Sequence, residues 1–188
     1  MRSPAPYLSA GSDGAGQLTA LGLRDVVGGV GNVLCSDDGV GIHAVRELER
    51  DPLLAAQTLD LGTAILHSIS LLAGARRVLL IDAVRGGHPP GTIYRFDATE
   101  PAQAEAPAAS LHSLGLREAL RLLAPDQSPP QITILGVEPQ SLEYGLTLSA
   151  PVQSALPQLV RMAREIVAAW GAASPGATPK AEDPVLLN

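Results

Sequence analysis

A chain of 188 residues, 46% apolar and 17% charged, holds enough material for one well-packed core, within the usual size of a single domain. Its formal net charge of -6 leaves no basic stripe to displace counterions from phosphates, which argues against nucleic acid and against an anionic membrane surface as partners. Cys35 is the sole cysteine, so no intramolecular disulfide can form; with no signal-peptide core near the start and no apolar run approaching the roughly 20 residues of a membrane span, a cytoplasmic protein without membrane insertion is expected.

Residues 1–21, rich in Gly, Ala and Ser, read as a flexible tail. RDVVGG at 24–29 reads as a short strand running into a Gly-rich turn, and residues 41–50 then place Ile42, Val45 and Leu48 at helical spacing. A second strand is expected at 58–61 and a second helix at 65–73. RVLLIDAV at 77–84 is a continuous apolar run ending in an acid, which suits a central parallel strand covered on both faces. TIYRFD at 92–97 follows HPPG and reads as an antiparallel edge strand entered through a tight turn. AEAPAAS at 104–110 reads as a surface loop, after which Ser110 or Ser113 can cap a helix running through Leu123. QITILGV at 131–137 is another buried-type strand. The last helix, 152–170, carries Leu156, Leu159, Ala163, Ile166 and Trp170 near one stripe, with Pro157 in or close to its first turn. Residues 172–188, rich in Pro, Ala and Gly, read as a second flexible tail. This alternation predicts an α/β fold over residues 22–171: a three-layer sandwich with a mostly parallel twisted central sheet, one antiparallel edge strand and helices on both faces.

In open sheets of this kind the working site lies beyond the carboxyl ends of the strands. That rule draws together Asp37 and Asp38 after the first strand, Asp82 at the end of the third, and His112 at the start of a helix. Two carboxylates and an imidazole form a mixed oxygen and nitrogen set suited to a divalent ion such as nickel or zinc, with positions left open for other ligands. Plainer readings stand beside this one. Asp37 or Asp38 alone would cap the following helix or favour its positive end, and His112 alone would be an ordinary loop residue. Asp82 follows VLLI near the low-dielectric core and needs a partner there. A phosphate cradle fits poorly: GGVGNVLCSDDG has neither the Lys-Ser/Thr ending of a P-loop nor the dinucleotide glycine spacing, and its acids would repel a pyrophosphate.

GGVGNVLCSDDGVGIHAVREL resembles the opening motif of the NiFe-hydrogenase maturation proteases, endopeptidases that trim the C-terminal extension of the hydrogenase large subunit. Four further blocks agree in order: LDLGT at 59–63, LLIDAVRGGHPPGTIYRF at 79–96, SLHSLGLREAL at 110–120 and LGVEPQSLEYGLTLS at 135–149. The resemblance covers residues 24–170. It implies catalytic and metal-contacting roles for Asp38, Asp82 and His112, with Asn32 and Asp37 shaping the first loop. It also implies nickel as the metal, carried by the substrate rather than bound tightly in free form, and the precursor of the large subunit as partner. Asp38 stands where many relatives have Glu, one methylene longer; Leu61 replaces the first glycine of a Gly-Gly-Thr segment thought to touch the substrate; Cys35 stands where relatives usually carry an apolar residue. Two routes for peptide cleavage remain open at this point, attack by a metal-bound water with one acid as base, or positioning of the scissile bond by the ion. A nickel-dependent checkpoint without cleavage and a small-molecule metallohydrolase are the alternative functions.

Overall fold

The computed structural model describes residues 25–63, 68, 72, 74–97 and 130–172. The expected tail at 1–21, all but the first residue of the tail expected at 172–188, nearly all of the helix at 65–73, and the whole segment around Ser110, His112 and Leu123 lie outside these residues; Ala172 itself is the last residue of a helix.

Strands β1 (Asp25–Val30), β2 (Gln57–Gly62), β3 (Arg77–Ala83), β4 (Ile93–Asp97) and β5 (Gln131–Val137) form one sheet in the order β2-β1-β3-β5-β4. All neighbours are parallel except β4, which runs antiparallel on β5 at one edge. This is the mostly parallel sheet with one antiparallel edge strand that the sequence predicts. β3 lies at its centre, paired with β1 and β5, and is buried from Arg77 to Asp82.

Alternation along the strands divides the core by face. Val27, Leu79, Ile81, Leu135 and Val137 point to one side, where helix α1 (Val40–Leu48) and helix α2 (Ala150–Ala172) cover them. Val45 and Leu48 of α1 and Leu159, Ala163 and Ile166 of α2 enter that core, as their spacing requires. Val26, Val78, Leu80, Ile132 and Ile134 point to the other side, packed with Leu61, Leu72 and Ala75. Among the described residues no helix is long and apolar enough to cross a membrane.

One expectation about the last helix needs correction. It starts at Ala150, so Pro157 lies beyond the first turn, inside the helix. The proline ring removes one amide donor, but Pro157 and Gln153, whose carbonyl would have received that bond, both face solvent, and water can take its place.

The amino edge of the sheet is clamped by a buried ion pair. Arg77 donates from Nε and Nη2 to the two oxygens of Asp25 at 3.0 and 2.6 Å, and from Nη1 to the carbonyl of Trp170 at 2.8 Å. This fork joins the first residues of β1 and β3 to the end of α2, leaving the opposite, carboxyl edge to loops.

Gly41 fixes how closely α1 approaches that carboxyl edge. A Cβ there would lie 2.1 Å from the carbonyl oxygen of Ile81 and 2.5 Å from that of Val30, and both obstacles are backbone. Gly41→Ala is therefore expected to cost about 3 kcal/mol and to lower the midpoint of thermal unfolding by roughly 6–12 °C. An unchanged midpoint would show that the helix can retreat from the strand ends.

Candidate active site

β1 ends in a loop whose shape depends on Gly31, at φ 125°, where a Cβ would meet the carbonyl oxygen of Asp38 at 1.7 Å. The chain can therefore fold back on itself only with glycine at this position. The amide of Asn32 donates to Oδ2 of Asp38 at 2.8 Å, the amide of Cys35 to the carbonyl of Asn32, and the amide of Asp38 to the carbonyl of Cys35. The side-chain oxygen of Asn32 accepts from the amide of Leu34. Asp38 is thus half-buried, with one carboxylate oxygen held by the loop it closes.

The two adjacent acids have different tasks. Neither caps a helix: the short 3-10 turn Ser36–Gly39 and α1 both start without a side-chain cap. Asp37 is fully buried and faces the loop after β5, accepting the amides of Gln140 and Ser141 on Oδ2 and of Ser149 on Oδ1, at 2.8, 3.0 and 2.7 Å. Burial by itself pushes its carboxyl up, but the hydrogen bonds from Ser141, Ser149 and Gln140 together outweigh that and hold it below the usual aspartate value. Asp37 is a clasp between the first loop and the last.

Asp82 is the sixth residue of β3 and only 1% exposed, with Oδ1 accepting the amide of Ala83 at 2.8 Å. Gly29 of β1 pairs with Ile81, so Asp82 stands beside the residue where β1 leaves the sheet, and the turn that carries Asp38 packs against β3. The fold therefore brings Asp38 and Asp82 to one carboxyl edge. His112 lies outside the described residues, and among those residues no three His, Cys, Asp or Glu side chains form a group able to hold a metal.

Glu138, which sequence reasoning passed over, organises the loop that follows Asp82. Buried just after β5, it accepts on Oε2 from the amides of Gly86 and His88, at 2.7 and 3.3 Å, and from the hydroxyl of Tyr94. Its own amide donates to the carbonyl of Thr92, and its carbonyl accepts from Gly91. Burial, followed by the bond to Glu138, raises the Tyr94 phenol well above its ordinary value, so it stays a donor. The sequence signal was present: a glutamate directly after the buried run QITILGV needs partners for the same reason as Asp82.

Three other residues near this edge or on α1 have surroundings that define what they do. Leu61 is 6% exposed and packs in the core against Val26, Val30 and Leu80, so its side chain is turned away from any partner. Cys35 is half-buried and holds its loop through its backbone, which bridges to Gly145. His43 is half-buried on α1, where burial and then Arg46 lower its pKa, keeping it neutral.

Comparison with known proteins places this arrangement among its relatives. A family model described as hydrogenase maturation protease matches residues 42–166. The hydrogenase expression/formation protein HoxM of Cupriavidus necator is 34% identical over 148 residues, covering 76% of this chain and 73% of its own. The hydrogenase 2 maturation protease of Escherichia coli K12 is 33% identical over 151 residues, covering 76% of this chain and 92% of its own. Among solved structures, the hydrogenase maturating endopeptidase HybD of E. coli superposes with a TM-score of 0.66 at 26% identity, over 79% of this chain and 94% of that one. The NiFe-hydrogenase maturation protease HybD of Thermococcus kodakarensis gives 0.65 at 25% identity, over 77% and 99%.

Proposed function

Because the chain belongs to the hydrogenase maturation protease family, and is by that membership an endopeptidase, we propose that it removes the C-terminal extension of the precursor of a NiFe-hydrogenase large subunit once nickel has been inserted. The observation that supports this reading is the placement of Asp38 and Asp82 at the same carboxyl edge of the sheet, one half-buried and one buried, on backbone held by glycine turns and by Glu138.

In this proposal nickel arrives as part of the substrate, held largely by the precursor's own thiolates. Asp38, Asp82 and His112 complete its coordination from the protease side. Two carboxylates and an imidazole bind free nickel weakly, so the enzyme engages its partner firmly only when metal is present, and mass action couples cutting to metal loading. Cleavage takes place in the cytoplasm, where Cys35 stays reduced.

The deciding experiment incubates the purified chain with nickel-loaded and nickel-free precursor and follows loss of the C-terminal peptide by mass. Trimming of the loaded form alone is expected. Equal trimming of both would sink nickel sensing, and trimming of neither would favour a checkpoint that binds without cutting. Cys35→Ala should process at a rate within about twofold of wild type, since this residue serves the loop through its backbone. An inactive variant would point to a thiol nucleophile.

A further inference from the structure

Four large apolar side chains stand exposed among the described residues: Leu34 at 51%, Leu53 at 89%, Tyr144 at 91% and Leu146 at 74%. Leu53 follows α1 on the way into β2, at the amino edge of the sheet. The other three share the carboxyl edge. Leu34 lies on the loop closed by Asp38, four residues before it, and Tyr144 and Leu146 flank Gly145 on the loop after β5.

These two loops are joined at the point where the three side chains meet solvent. The amide of Gly145 donates to the carbonyl of Leu34 at 3.0 Å, and the amide of Ser36 to the carbonyl of Gly145 at 2.8 Å. A Cβ on Gly145 would lie 2.3 Å from Oγ of Ser36, so the contact is close. Asp37 clasps the later loop on both sides of Tyr144 and Leu146, at Gln140 and Ser141 and again at Ser149. The apolar side chains are therefore carried on backbone fixed to the same loop as Asp38, and little backbone ordering entropy remains to be lost when they are covered.

We propose that Leu34, Tyr144 and Leu146 are the docking surface for the folded body of the protein substrate, contacting an apolar patch on it beside the cleavage site. This inference rests on the function proposed above for the identity of that substrate. An endopeptidase must have its protein substrate lying over the catalytic edge, and this patch continues that edge without a break in the hydrogen-bonded backbone. An exposed apolar group at such a place marks an interaction site, and tyrosine is among the residues that most often dominate binding. The partner's contribution is area and shape, while Asp38 and Asp82 remain responsible for the chemistry.

The test compares wild type, Tyr144→Ser/Leu146→Ser and Leu53→Ser. It measures the Kd for nickel-loaded precursor, the KM and kcat of processing, and the oligomeric state by sedimentation. The double variant is expected to raise Kd and KM at least tenfold with kcat within threefold, while Leu53→Ser leaves all three constants unchanged. Unchanged Kd and KM in the double variant would overturn the docking surface. So would a loss confined to kcat, which would mean that the loop only shapes the catalytic edge, or a wild-type dimer abolished by the double substitution with Kd for precursor intact, which would assign the patch to a second copy. If wild type binds precursor but cuts neither form, the proposed function fails, and the Kd values still decide the docking surface.

Discussion

Asp38→Ala should abolish trimming of the precursor, by at least about a hundredfold in rate, while leaving the protein folded. In structural terms the alanine variant removes the bond that the amide of Asn32 donates to Asp38 in a half-buried place. One such bond is worth about 1 kcal/mol, or roughly 2–4 °C in the thermal midpoint. Asp38→Asn separates charge from scaffolding, since an amide oxygen can still accept from Asn32 but no longer carries the negative charge that a metal-bearing substrate would meet. It is expected to keep the wild-type midpoint and to be as inactive as the alanine variant. His112→Ala is expected to lose processing to the same degree. Mass spectrometry of the released peptide reads activity and calorimetry reads the fold. Normal trimming by either alanine variant would remove that residue from the catalytic set.

Asp37→Ala should have the opposite signature, a large loss of stability from the removal of a single carboxylate. Three backbone amides at Gln140, Ser141 and Ser149 converge on it. Each buried donor left without an acceptor costs about 1–3 kcal/mol. Allowing for water entry, a loss of about 4 kcal/mol is expected, a large part of the roughly 5–15 kcal/mol that holds a domain folded. Asp37→Asn should fall between, because its oxygen still accepts on one side while its NH2 confronts a donor on the other. The pH dependence has a definite sign. Folding lowers the Asp37 pKa, so its stabilisation is complete above the ordinary value of 3.8 and is lost as pH falls from there through the lowered folded value. Urea midpoints measured down through this acid range should fall for wild type and stay flatter for Asp37→Ala. Parallel curves would mean that the clasp contributes nothing through its charge.

These two adjacent aspartates mark where sequence reading succeeds and where it stops. The strands could be read closely because β3 and β5 are buried, and continuous apolar runs have few other uses: QITILGV begins and ends where β5 does, and the run expected at 77–84 exceeds β3 by one residue. The antiparallel edge strand and the faces of α1 and α2 were legible for the same reason, since periodicity reports burial directly. Pro157 misled because a proline is most at home in a first turn, and only packing of the residues from Ala150 onward shows that the helix starts earlier. Leu61 looked like a change in a substrate-facing loop and is part of the core, because its face depends on strand register.

The sequence by itself determined that acids follow the first strand and stand at the end of the third, that glycine stands beside the first pair, and that strand ends of this kind gather such residues at one edge. Only the tertiary structure decided which acid does what. Asp37 and Asp38 are neighbours of the same chemical type, and local pattern cannot tell them apart. Their roles are set by what each side chain meets: for Asp38 an amide 6 residues away on its own loop, and for Asp37 amides 103 to 112 residues further along the chain. Partners at that separation exist only once the sheet has placed the loop after β5 beside the loop after β1.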